Sequence, residues 1–71
     1  MFEALRAWRA EQAKAQGVPA YVILHDKTLN ELAARQPTSP DALLDIPGIG
    51  QAKAERYGAD LLVLIKRMAT Q

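Results

Sequence analysis

An all-α fold, a compact bundle of five helices, is what the sequence predicts, and three observations carry it. Residues 2–16 run through Ala, Glu, Gln, Lys and Arg with no Pro or Gly before Gly17, a composition that favours a helix and a glycine that stops one. Ser39-Pro40-Asp41 gathers a capping hydroxyl, a proline suited to the first helical position and a carboxylate for the positive first turn. The apolar run Ala20-Tyr21-Val22-Ile23-Leu24, which composition alone would allow as a strand, has no pairing partner elsewhere in the chain.

The elements follow in order. In the first helix, Phe2, Leu5, Arg9 and Ala13 share one stripe, because spacings of three and four return to the same face. An arginine therefore stands where an aliphatic residue is expected, and a partly buried guanidinium crossing to Asp26 or Asp45 is the expected solution. Val18-Pro19 breaks this helix, and residues 20–24 form a short helical turn or an extended packed linker. Asp26 is the expected N-cap of a second helix that ends near Gln36, with Leu29, Leu32 and Ala33 inward and Pro37 as its stop. A third helix runs from the Ser39 cap to about Leu44. Ile46-Pro47-Gly48-Ile49-Gly50 requires a tight turn. A fourth helix spans about Gln51 to Tyr57 and is punctuated by Gly58. Asp60 then caps a last helix with Leu61, Leu64, Ile65 and Met68 inward and Lys66 and Arg67 at its negative end.

Composition bounds what such a bundle does. A chain of 71 residues without cysteine buries only about 60% of the surface its unfolded form exposes, which leaves little room for an enclosed substrate pocket. His25 is the sole histidine, so no ligand set for a structural zinc and no Cys/His nucleophile pair exists. No acid/base pair or phosphate loop is evident either, and the expectation is a chain with no catalytic residue, no metal site and no cofactor of its own. A net charge of +1 argues that any nucleic-acid contact is local. No stretch is apolar enough to cross a membrane, and the N-terminus lacks the layout of a signal peptide. The opening inside a helix after one Met suggests residues 1–71 are a single domain excised from a longer protein.

The most informative segment is Leu43-Leu44-Asp45-Ile46-Pro47-Gly48-Ile49-Gly50-Gln51-Ala52-Lys53-Ala54. Two glycines flank one apolar residue, so the backbone bends sharply while Ile49 anchors the bend. Gly48 and Gly50 also leave amides at the start of the following helix open to an anion, and Ala54 keeps the two helices close. The segment resembles the helix-hairpin-helix element, which binds nucleic-acid backbones without reading sequence; the alternative is a plain compact helix connection. Lys53 and Arg56 follow on the same helix, placed to meet a phosphate held by those amides. Glu55, Asp41 and Asp45 dilute the patch, so the expected binding is weak and salt-sensitive, micromolar or looser.

The ordered set of motifs resembles the HRDC domain, the helicase-and-RNase-D C-terminal module, along essentially the whole chain. The matching features are Leu5-Arg6-Ala7-Trp8-Arg9, Val18-Pro19-Ala20-Tyr21-Val22-Ile23, His25-Asp26-Lys27-Thr28-Leu29, Pro37-Thr38, Ile46-Pro47-Gly48-Ile49-Gly50 and Arg56-Tyr57-Gly58. The resemblance implies an accessory domain at the C-terminal end of a RecQ-type DNA helicase or of ribonuclease D, with the wording around Pro19 to Leu29 more like the bacterial RecQ versions. In that setting it helps engage single-stranded or structured DNA during repair and recombination. ATP, Mg and unwinding belong to other domains of such a parent, a hydrolase acting in the cytoplasm at the nucleoid. In RecQ-type members an aromatic in the linker after the first helix and nearby basic residues are associated with single-strand binding; the position matching that aromatic is Tyr21, and Lys27 is the neighbouring cation that would meet the backbone. Tyr21 either stacks a base there or packs its ring on the first helix with only its hydroxyl wet.

The remaining polar and aromatic residues have plainer readings. Trp8 is core edge, Tyr57 is structural and His25 is a local hydrogen-bond partner. Arg6, Lys14, Arg35, Lys66 and Arg67 are solvated helix faces. Leu62 and Val63 lie off the inward stripe of the last helix, which motivates a second function: a regulatory protein-interaction module that docks on the helicase core or self-associates. The isolated domain is otherwise expected to be a monomer.

Overall fold

The computed structural model describes residues 1–69. Five helices follow in order: α1 (Phe2–Gln16), α2 (Ala20–Ile23), α3 (Asp26–Arg35), α4 (Pro40–Leu44) and α5 (Gln51–Ala69). No strand occurs among the described residues. Helices α2 and α3 pack on α1, α4 packs on α5, and α5 closes back on α1. Leu5, Ile23, Leu24, Leu29, Leu32, Leu43, Ile46, Leu61 and Ile65 are all but completely buried, so every helix and the hairpin contribute to one core.

The number of helices agrees with expectation, and Ala20–Ile23 takes the helical of the two forms expected there. The division of the C-terminal segment differs. Residues 51–69 form one continuous helix of 19 residues, so Gly58 is no stop and Asp60 no cap. Gly58 is buried in mid-helix, where an added Cβ would sit 3.1 Å from Leu43 Cδ2. The missing side chain thus lets α4 approach α5 closely, and this packing offsets the roughly 1 kcal/mol that glycine costs inside a helix.

The helix ends follow local chemistry. Gly17 adopts the left-handed conformation at φ 66° and ends α1, its N–H and that of Val18 reaching back to carbonyls of the last turn. Ser39 Oγ accepts from the Ala42 amide at 3.1 Å, with Pro40 inside the start of α4 as expected. Asp26 is not the cap of α3: His25 holds that position, and Asp26 is the first helical residue. The reason lies in α1. Arg9, on the buried stripe and only 8% exposed, donates Nη1 to Leu24 O at 3.0 Å and pairs with Asp26 Oδ1 at 2.7 Å. Of the two carboxylates open to it, the guanidinium takes Asp26 and leaves Asp45 at the exposed end of α4.

A candidate nucleic-acid interface

The hairpin between α4 and α5 is built by four local bonds and one fitted contact. Asp45 and Ile46 amides close the end of α4, the Ile49 amide donates to Ile46 O at 3.1 Å, and the Ala54 amide donates to Gly50 O at 2.9 Å. Ile49 is buried, as an anchor should be. Gly48 lies at φ 91°, and a Cβ there would collide with Thr28 Oγ1, whose hydroxyl donates to Pro47 O at 3.0 Å. Gly48 is therefore required twice, by its dihedral and by the side chain of α3 packed against it. Gly50 is different: its φ is not in the left-handed region, and a Cβ would meet nothing. The open amides are fewer than the two glycines suggest, since that of Ile49 is spent inside the turn. By helix geometry those of Gln51, Ala52 and Lys53 precede the first i→i−4 bond of α5.

The predicted site residues fall into two groups. Lys27 and Gly48 line one groove, and Tyr21 borders it through the contact of its ring with His25. Thr28 ties α3 to the hairpin, and a shallow groove of about 430 Å³ is lined by His25, Lys27, Thr28, Pro47 and Gly48. Tyr21 stands beside it with 61% of its surface exposed. That exposure removes the reading in which the ring packs on α1 and only the hydroxyl is wet. Lys27 is exposed and, among the described residues, makes no hydrogen bond or ion pair. Gly50 and half-buried Lys53 follow at the start of α5.

Arg56 belongs to the second group. Its Nη2 donates to Gln16 Oε1 at 3.2 Å, and its guanidinium lies 5.5 Å from the centroid of the Tyr57 ring. Tyr57 is buried, hydrogen-bonded to the Gln16 amide and met edge-on by half-buried Trp8 at 5.5 Å. The cluster fastens α5 to the end of α1, so Arg56 is tethered toward α1.

Two participants escape sequence reasoning. Gln16 reads as one polar residue among many in α1, although it holds both Arg56 and Tyr57. His25 makes no side-chain hydrogen bond among the described residues; instead its ring stacks with Tyr21, centroids 6.1 Å apart and planes 29° from parallel. The available signal is an aromatic and an imidazole on either side of a short helix end. Among the described residues no cluster of His, Cys, Asp or Glu is arranged to hold a metal ion. No helix among the described residues is long and apolar enough to cross a membrane.

Fold and surface together define a class: a small all-helical module with a glycine hairpin docked on a neighbouring helix and an exposed aromatic beside an unpaired lysine. A model of the HRDC domain matches residues 1–65. Over 62 residues the chain is 50% identical to the ATP-dependent DNA helicase UvrD2 of Mycobacterium tuberculosis, which covers 87% of this chain and 9% of that protein. It is 44% identical over 69 residues to the ATP-dependent DNA helicase RecQ of Bacillus subtilis, covering 97% of this chain and 12% of that one. Among solved structures, HRDC domain 3 of D. radiodurans RecQ superposes with a TM-score of 0.94 at 38% identity, over 99% of this chain and 92% of that one. The chain belongs to the HRDC domain family, an accessory, non-catalytic domain of helicases such as RecQ. It spans only about a tenth of the length of these curated relatives.

Proposed function

We propose that this domain is the weak, sequence-independent DNA-binding accessory of an ATP-dependent DNA helicase of the RecQ type, engaging single-stranded or structured DNA in repair and recombination. The observation that carries the reading is the groove shared by the Gly48 hairpin and Lys27, a cation unpaired among the described residues, with exposed Tyr21 joined to it through His25. An aromatic face stacks a base of any identity, and an ammonium meets the backbone, a mode that tolerates sequence. The open amides that follow Gly50 and the Lys53 ammonium extend the phosphate-binding surface along the start of α5, while Arg56, held by Gln16, contributes less. ATP and Mg are assigned to the parent helicase, a cytoplasmic, nucleoid-associated enzyme, and none to this domain. Titration of a labelled oligonucleotide at low salt tests the reading. Y21A and K27A combined should weaken binding at least tenfold; unchanged affinity in the double variant overturns it.

A second reading has its own observation. Val63 is 57% exposed, and with Thr38, Leu62 and Lys66 it lines a groove of about 410 Å³ on α5. That surface suits a regulatory contact with a helicase core or with a second copy. Sedimentation and pull-down with the parent's catalytic core decide it: a strict monomer without affinity for that core removes the interaction module.

A further inference from the structure

The ring of His25 is committed to no internal hydrogen bond among the described residues, lies against Tyr21 and forms one wall of the groove that Lys27 and Gly48 share. We infer that His25 is a second base-stacking residue: the Tyr21–His25 ring pair carries one base of a single strand, and the adjoining groove takes that nucleotide's sugar and phosphate at Lys27. The inference rests on the DNA-binding reading and assigns the residues that seat a nucleotide within it.

Three features fit this occupant. Both rings are exposed and tilted only 29° from parallel with centroids 6.1 Å apart, so a base laid on the outer face of one ring is backed by the other in a continued stack. The chain between them is pinned, with the Leu24 side chain in the core, its carbonyl held by Arg9 and the Val22 amide on Pro19 O at 3.0 Å. A platform held in advance loses little freedom when a base lands on it. The charge is also suited to a phosphate. Asp26, the carboxylate adjacent to Lys27 in sequence, is paired with Arg9, so its charge is compensated within the fold. The floor is Pro47 and the bare backbone of Gly48, which offer contact to a sugar without reading a base edge.

The test is fluorescence anisotropy of a labelled oligothymidylate at low salt on His25→Ala, His25→Gln, His25→Phe, Tyr21→Ala and the unaltered domain. His25 is exposed, so these substitutions leave the core alone. Loss of half a platform should weaken binding about fivefold in the Ala and Gln variants, with an unchanged dependence on salt. Phe should restore it to within about twofold, since a ring suffices for stacking. Binding in which Tyr21→Ala is impaired and His25→Ala is not overturns the His25 assignment and leaves DNA binding in place. Full affinity in His25→Gln with loss in His25→Phe overturns it too, because the polar atoms then matter and the ring does not. No binding by the unaltered domain overturns the broader reading and this one with it.

Discussion

Gly48 and Gly50 stand on either side of Ile49 and answer to different constraints. A side chain at Gly48 is opposed by a φ of 91° and by the Thr28 hydroxyl already in place. Relief by moving Thr28 would break its bond to Pro47 O, the link between α3 and the hairpin. Gly48→Ala should therefore destabilise the domain by about 3 kcal/mol, a strained dihedral plus a displaced part-buried hydrogen bond. Gly50→Ala meets open space at an ordinary φ and should cost under about 1 kcal/mol, the difference between glycine and alanine at a helix start. Urea unfolding of the two variants checks the contrast, and near-equal midpoints would contradict it. Thr28 is the part that the sequence conceals. That the hairpin needs a glycine is legible in Ile46-Pro47-Gly48-Ile49-Gly50, but which glycine is indispensable depends on a side chain from a different helix.

At the scale of the elements, the Arg9 latch decides how α2 and α3 lie on α1. Its Nη1 serves both the carbonyl of Leu24, a residue with no exposed surface, and Asp26, whose side chain is 78% exposed. The two partners are not equivalent, because a buried carbonyl left without a donor pays its full desolvation cost while an exposed carboxylate returns to water. Arg9→Met, which keeps most of the volume, should cost about 3 kcal/mol of stability. Asp26→Asn retains an acceptor for the guanidinium and should cost about 1 kcal/mol; chemical denaturation of both variants reads the order, and a larger loss in Asp26→Asn would invert this account. The latch is half legible: the arginine on an apolar stripe announces a buried cation, and two carboxylates qualify until the fold selects one. Where ends are marked by local chemistry, at Gly17 and Ser39, the helices are legible to the residue. Gly58 misleads because a glycine that ends a helix and one that admits a neighbouring helix read alike, and only Leu43 of α4 separates them. For the interface, the sequence exposes Tyr21, Lys27 and the hairpin as parts, while the Tyr21–His25 pairing and the tether from Gln16 to Arg56 depend on how the chain turns at Leu24 and on where α5 meets α1.

For the molecule as a whole, a net charge of +1 on a body measuring 30 × 26 × 19 Å sets the kind of DNA affinity available. Counterion release makes the salt dependence a count of neutralised phosphates, with a slope of about 0.7 per phosphate on a single strand. Lys27 and Lys53 are the cations of the interface that the fold leaves without an ion-pair partner among the described residues, whereas Arg56 is engaged by Gln16 and Tyr57. Two phosphates give a slope near −1.4, so affinity should fall only about sevenfold between 50 and 200 mM salt, as estimated from that rule. Lys27→Ala should flatten the slope by about 0.7, while Arg56→Ala should leave it unchanged. Anisotropy titrations across that salt range measure all three slopes. A steep dependence, or one that Arg56→Ala flattens as much as Lys27→Ala does, would mean that the guanidinium leaves Gln16 for the backbone and that the interface extends across α5 toward the end of α1. A slope of the expected size, with stacking variants shifting affinity but not slope, places the electrostatic part of binding on the Lys27 face and the remainder on aromatic rings.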